Sequence, residues 1–140
     1  MILFFDTSAL VKLYIEEPGS VEVAALAADA TALAACRIAW VETLSALARR
    51  SREQPVAASG IAQARRRFIA DWADFMLIEI TQPLVELAGD YAEAFALRAY
   101  DSVQLAAVQT AHRELPGEVG FACYDDRLAR AAGVLGIESA

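Results

Sequence analysis

Apolar positions change their period several times along this chain, and each change marks an element. Ile2-Leu3-Phe4-Phe5 is an unbroken apolar run, the pattern of a strand buried on both faces by flanking helices. It stops at Asp6. Leu10, Val11, Leu13, Tyr14 and Ile15 then recur at helical spacing, which predicts a short helix over 8–14, broken by the loop residues Glu16-Glu17-Pro18-Gly19-Ser20. A second helix is predicted over 20–29 and a second strand over 32–36, followed by a helix over 38–52 with Ile38, Val41, Leu44 and Ala48 on one face. Ile61, Ala64, Phe68 and Trp72 define a helix over 59–75, and Met76 to Ile80 a third strand. Thr81-Gln82-Pro83 opens a helix that runs to 95, because proline suits a first turn. A break near Arg98 precedes another helix over 103–112. Residues 119–124 form a fourth strand, 127–132 a closing helix, and 134–137 an edge strand.

Strands alternate with helices throughout. The class is therefore α/β with a parallel sheet, and right-handed crossovers place helices on both faces. At 140 residues, with no repeat or linker, the chain reads as a single domain, 1–140. Although 57% of residues are hydrophobic, no apolar window reaches the roughly 20 residues of a membrane span. The N-terminal run lacks a preceding basic region and meets Asp6 at once, unlike a signal peptide. A cytoplasmic protein is expected, with no membrane partner. Cys36 and Cys123 have no CxxC or His neighbour, so they predict buried free thiols rather than zinc or a disulfide.

The net charge of −7 argues against a polyanionic partner only in sum. Eleven arginines and the one lysine, Lys12, supply the positive charge, and six arginines fall in two clusters, Arg49-Arg50-Arg52 and Arg65-Arg66-Arg67. These are either solvated helix faces or sites for phosphate or carboxylate groups.

The chemistry gathers at strand ends. Asp6 closes the first strand, Asp125 the fourth, and Asp101 stands where a helix follows a loop, all at the carboxyl edge where open α/β sheets bind ligands. Glu42, between apolar Val41 and Leu44 early in its helix, belongs to the same edge. Asp6 either caps the following helix or holds a cation. Carboxylates packed together must protonate or share a cation, and hard oxygen ligands select magnesium or manganese over zinc. Such an ion acidifies its water and neutralises phosphate charge, as phosphodiester hydrolysis requires. The single histidine, His112, lies inside a helix, away from this edge, and no GxSxG or GxxxxGK motif is present.

Four motifs in order, Asp6-Thr7-Ser8-Ala9-Leu10-Val11, Trp40-Val41-Glu42, the run from Leu97 to Ala106 containing Arg98 and Asp101, and Cys123-Tyr124-Asp125-Asp126-Arg127-Leu128, resemble the PIN-domain family. The likeness is greatest to the VapC toxins of bacterial toxin–antitoxin pairs. The resemblance implies a three-layer α/β/α fold whose parallel sheet of four to five strands has the order 3-2-1-4-5. It further implies a Mg2+- or Mn2+-dependent endoribonuclease acting on RNA, a homodimer, and a cognate antitoxin that blocks the site. By position, Asp6, Glu42, Asp101 and Asp125 match the catalytic, metal-holding acids. Ser8 matches the supporting hydroxyl, Arg98 stands one turn before Asp101, and Asp126 is the substitute for Asp125. Cys123 departs from the pattern, standing where the family usually has Thr or Ser.

Other folds of this class fit less well. A phosphoacceptor receiver wants an acidic pair after the first strand and a late lysine, and a haloacid-dehalogenase-type phosphatase wants Asp-x-Asp where this chain has Asp6-Thr7-Ser8. A PIN fold kept as a silent RNA- or partner-binding module is the alternative to the nuclease. Leu10, Leu13, Tyr14 and Trp40 are candidates for an interaction face, with core packing as the other reading.

Overall fold

β1 (Ile2–Phe5) is an inner strand of a four-stranded sheet of order β3-β2-β1-β4, with β2 (Ala32–Cys36), β3 (Met76–Ile78) and β4 (Val119–Ala122) all parallel to their neighbours. The computed structural model describes residues 1–140. Its helices are α1 (Thr7–Leu10), α2 (Ser20–Asp29), α3 (Ala39–Glu53), α4 (Ala58–Asp71), α5 (Gln82–Phe95), α6 (Ala99–Glu114) and α7 (Asp126–Val134), with single 3-10 turns at Val11–Leu13, Pro55–Ala57 and Trp72–Asp74. The expected α/β/α architecture is present.

The unbroken apolar run of β1 serves both layers. Successive side chains of a strand point to opposite faces. Phe4 enters a core with Leu84, Tyr91, Leu105, Val108 and Leu128 from α5, α6 and α7, whereas Leu3 and Phe5 enter one with Leu10, Val23, Phe68 and Trp72 from the other side. Leu10 and Tyr14 are buried in that second core, and Leu13 and Trp40 pack against it, so all four are core residues rather than an exposed face. Trp40, Phe68 and Trp72 lie with ring centroids 5.4–5.6 Å apart, which holds α3 and α4 to the sheet. No helix is long and apolar enough to cross a membrane.

Several boundaries differ from the sequence pattern: β3 ends at Ile78 rather than Ile80, and the helices predicted over 8–14 and 59–75 end at Leu10 and Asp71 and tighten into 3-10 turns. β4 ends at Ala122 rather than 124, because the Tyr124 N–H turns away from the ladder to the Ser8 hydroxyl. α6 starts at Ala99 rather than 103: Ala96 takes the left-handed conformation (φ 52°) that closes α5, and extended Arg98 begins the next helix. Residues 134–137 are not an edge strand, since Val134 ends α7 and the Gly136 N–H turns back to Gly133. The outer edge of β4 is met only later, by a single parallel bridge between Phe121 and Ser139.

Candidate functional site

Four helices start at the carboxyl edge of the sheet, and each brings an acid. Asp6 is the N-cap of α1, Glu42 stands in the first turn of α3, Asp101 in the first turn of α6, and Asp125 is the N-cap of α7. Negative charge is favoured at these positive helix ends. The parallel topology thus collects acids at one edge and supplies part of their stabilisation.

Asp6 is buried, and its Oδ2 accepts hydrogen bonds from the Ser8 amide at 3.1 Å and the Ser8 hydroxyl at 2.5 Å. That hydroxyl in turn accepts the Tyr124 N–H at 2.9 Å, joining the ends of β1 and β4. Asp6 therefore caps α1, a role that does not bar its carboxylate from also meeting a cation. Burial pushes its carboxyl above the ordinary 3.8; the Ser8 bonds oppose this and the charge of Asp101 adds to it. Glu42 is likewise raised from 4.5, first by burial and then by the charges of Asp6 and Asp101, against hydrogen bonds from Gln104 and Thr7. Asp6, Glu42 and Asp101 are thus close enough to repel one another.

Asp125 is differently engaged. Its Oδ1 accepts the Leu128 N–H at 2.9 Å, capping α7. Asp126 is exposed in the first turn of that helix, with its carbonyl taking the Arg130 Nε at 3.2 Å. The Cys123 thiol faces the Asp6 carboxylate at 3.7 Å and donates to the Asp125 carbonyl at 3.4 Å. Burial, with help from Asp6, pushes that thiol up to about 12, so it stays protonated as a weak donor. Arg98 is largely exposed and lies 3.5 Å from Asp101.

Two residues of the site were not singled out by sequence reasoning. The Gln104 amide is fully buried and its Nε2 donates to Glu42 Oε1 at 2.8 Å. The Thr7 hydroxyl donates to the same oxygen at 3.3 Å and accepts from Gln104 Nε2 at 3.3 Å. A signal existed for Gln104: it is an amide three residues after Asp101 and hence on the same side of α6.

No three His, Cys, Asp or Glu side chains stand close enough together to cage a metal ion as they lie. Their hydrogen bonds account for part of this, since Asp6 is drawn to Ser8 and Glu42 to Gln104 and Thr7. The donor set nevertheless suits a hard divalent cation. It offers oxygens alone, it carries charge that burial and repulsion leave under-compensated, and Glu42 Oε2 has no hydrogen-bond donor.

The arginine clusters divide by role. Arg50 pairs with Glu17 at 2.7 Å, beside the Lys12–Glu17 pair, and Arg67 donates to the Tyr14 carbonyl at 2.8 Å, so both tie loops to helices. Arg49, Arg52 and Arg65 are exposed, and Arg65 lines a groove with Ala48 and Ser51 of α3.

Comparison with known proteins bears on the family and the fold. A model of the PIN domain matches residues 3–134. Ribonuclease VapC45 and ribonuclease VapC49, from two strains of Mycobacterium tuberculosis, are each 37% identical over 135 residues, covering 94% of this chain and 92% of theirs. Ribonuclease VapC47 of the same species is 32% identical over 143 residues, 99% of this chain and 96% of its own. A solved chain described as a toxin–antitoxin complex from Klebsiella pneumoniae shares the fold, with a TM-score of 0.66 at 20% identity, over 98% of this chain and 96% of that one. With sheet order, motif spacing and near end-to-end relatives in agreement, the chain belongs to the PIN domain family, among its VapC-type members.

Proposed function

We propose that this protein is the toxin ribonuclease of a VapBC-type pair, cutting RNA phosphodiesters at the acid cluster. The observation that carries the reading is the convergence of Asp6, Glu42 and Asp101 at three helix N-termini, close enough that the charge of Asp101 raises both Asp6 and Glu42 and that of Asp6 raises Glu42. Such an arrangement costs stability unless a cation is taken up. Asp6, Glu42 and Asp101 would hold Mg2+ or Mn2+, with Asp125 at the rim. The ion, when bound, supplies acidified water and neutralises phosphate charge. Ser8 and Gln104 hold the carboxylates in place, and Cys123 rests against Asp6 as a neutral thiol. Arg98, free apart from Asp101, stands where it can meet a phosphate. The names of the relatives support RNA as substrate and an antitoxin as partner, and a cytoplasmic homodimer is the form in which we expect the toxin to act.

The test is cleavage of a mixed pool of structured and single-stranded RNA by antitoxin-free protein, with Mg2+, Mn2+ or chelator, beside Asp6→Asn. Cleavage that needs the metal and vanishes in the variant is expected. Cleavage at the parent rate by both Asp6→Asn and Asp101→Asn would show that the site is misassigned. Absence of both metal binding and cleavage would favour the silent binding module.

A further inference from the structure

We infer that Gln104 is a positioning residue of the reaction: with Thr7 it clamps Glu42 Oε1 and leaves Oε2 as the oxygen that Glu42 offers to a ligand. This rests on the ribonuclease reading and extends it to a residue outside the acid set. Gln104 Nε2, Thr7 Oγ1 and Glu42 Oε1 form a closed triangle with sides of 2.8, 3.3 and 3.3 Å, linking α6, α1 and α3. Each corner comes from a different helix, so the carboxylate is held from two directions.

Gln104 is 0% exposed, yet its Oε1 has no hydrogen-bond donor. Gln109 of the same helix is also buried with an unpaired Oε1, but only Gln104 reaches an acid of the site, through Nε2 to Glu42. A leucine in place of Gln104 would fill the space without the unpaired amide oxygen, but it would strip Glu42 Oε1 of its 2.8 Å donor. The bonds that the amide does make act on a neighbour. That neighbour is Glu42. Because Asp101 and Gln104 lie one turn apart on α6, a single helix supplies one acid and steers another.

The experiment compares the parent with Gln104→Leu, Glu42→Gln and the double variant. Readouts are the melting temperature in chelator, Mn2+ affinity by calorimetry, and kcat and KM for RNA cleavage. Groups that orient metal ligands typically alter metal affinity or activity by about 10–100-fold when removed. Gln104→Leu, which strips a buried carboxylate oxygen of its donor, is expected to melt somewhat below the parent, to bind Mn2+ at least about tenfold more weakly, and to lose kcat with KM for RNA unchanged. The double variant is expected to be no worse than Glu42→Gln alone, because Gln104 acts through Glu42.

A lowered melting temperature with parental Mn2+ affinity would make Gln104 a structural residue and overturn the inference. So would penalties that multiply in the double variant. A further readout separates this failure from that of the nuclease reading: the side-chain amide NMR signal of Gln104 in metal-free protein should shift with Glu42→Gln. A parent that neither binds Mn2+ nor cuts RNA sinks the functional reading, and the positioning role with it, even if that signal moves. A parent that cuts RNA while the signal stays still sinks the clamp alone.

Discussion

The Ser8 hydroxyl accepts the Tyr124 N–H at 2.9 Å while donating to Asp6 at 2.5 Å. One side chain thereby diverts the end of β4 from its ladder and holds the carboxylate that ends β1. The bond to a carboxylate in a buried site belongs to the stronger kind.

Replacing Ser8 removes both links at once. Ser8→Ala is expected to cost about 1–3 kcal/mol in a urea titration and to reduce RNA cleavage. Ser8→Thr should retain most of both, since the hydroxyl remains. Equal stability of Ser8→Ala and the parent would mean that water replaces the bridge.

Protonation of the acid cluster gives stability an unusual slope with pH. The folded state raises Asp6 and Glu42 above their ordinary 3.8 and 4.5, mainly by burial, then by the charge of Asp101 on both and that of Asp6 on Glu42. The folded chain therefore keeps protons that the unfolded chain releases, and rising pH favours unfolding. This contribution is fully present below the ordinary values and is lost as pH rises through the raised ones. Glu17 works in the opposite sense: burial alone would raise it, but Lys12 and Arg50 outweigh burial and lower it, so its share is lost as pH falls. In chelator, the melting temperature of the parent should fall relative to Asp6→Asn as pH rises above about 4. Parallel curves for the two proteins would contradict this.

Phe68 is fully buried with ring centroids of Tyr14, Trp40 and Trp72 within 5.3–5.6 Å. Phe68→Ala should cost about 3–5 kcal/mol in denaturant. Because Trp40 lies two residues before Glu42 on α3, the loss should also loosen the site. Cleavage by Phe68→Ala is expected to fall at temperatures where the chain is still folded by circular dichroism.

Arg49, Arg52 and Arg65 are free of the internal bonds that occupy Arg50 and Arg67. Arg49 lies seven residues beyond Glu42 on α3, hence on nearly the same helix face and about 10 Å further along. Reversing all three to Glu should raise KM for RNA without lowering kcat, and should flatten the dependence of affinity on salt by roughly one unit of slope for each phosphate no longer neutralised. An unchanged salt dependence would move RNA away from this face.

Much of this protein was legible before folding, because the relevant signals are local. An apolar run that stops at an acid and resumes at helical spacing is contained within ten residues, so Asp6, Asp101 and Asp125 were placed at element ends and the parallel α/β class followed. Boundaries were less legible. Whether β4 stops at Ala122 or two residues later depends on the Ser8 hydroxyl, which lies 116 residues away in sequence from Tyr124. The left-handed turn at Ala96 carries no glycine to announce it.

What only the tertiary structure decided is which polar groups meet. Periodicity assigns Gln104 to a face of α6, but its partner Glu42 is 62 residues distant and comes from another helix. The two arginine clusters look alike in sequence; packing committed Arg50 to Glu17 and Arg67 to Tyr14 and left Arg49, Arg52, Arg65 and Arg66 free. A residue's own period determines the side of an element on which it lies. Its hydrogen bonds and its charge depend on neighbours that the crossovers of a parallel sheet bring in from distant positions, and these no local pattern contains.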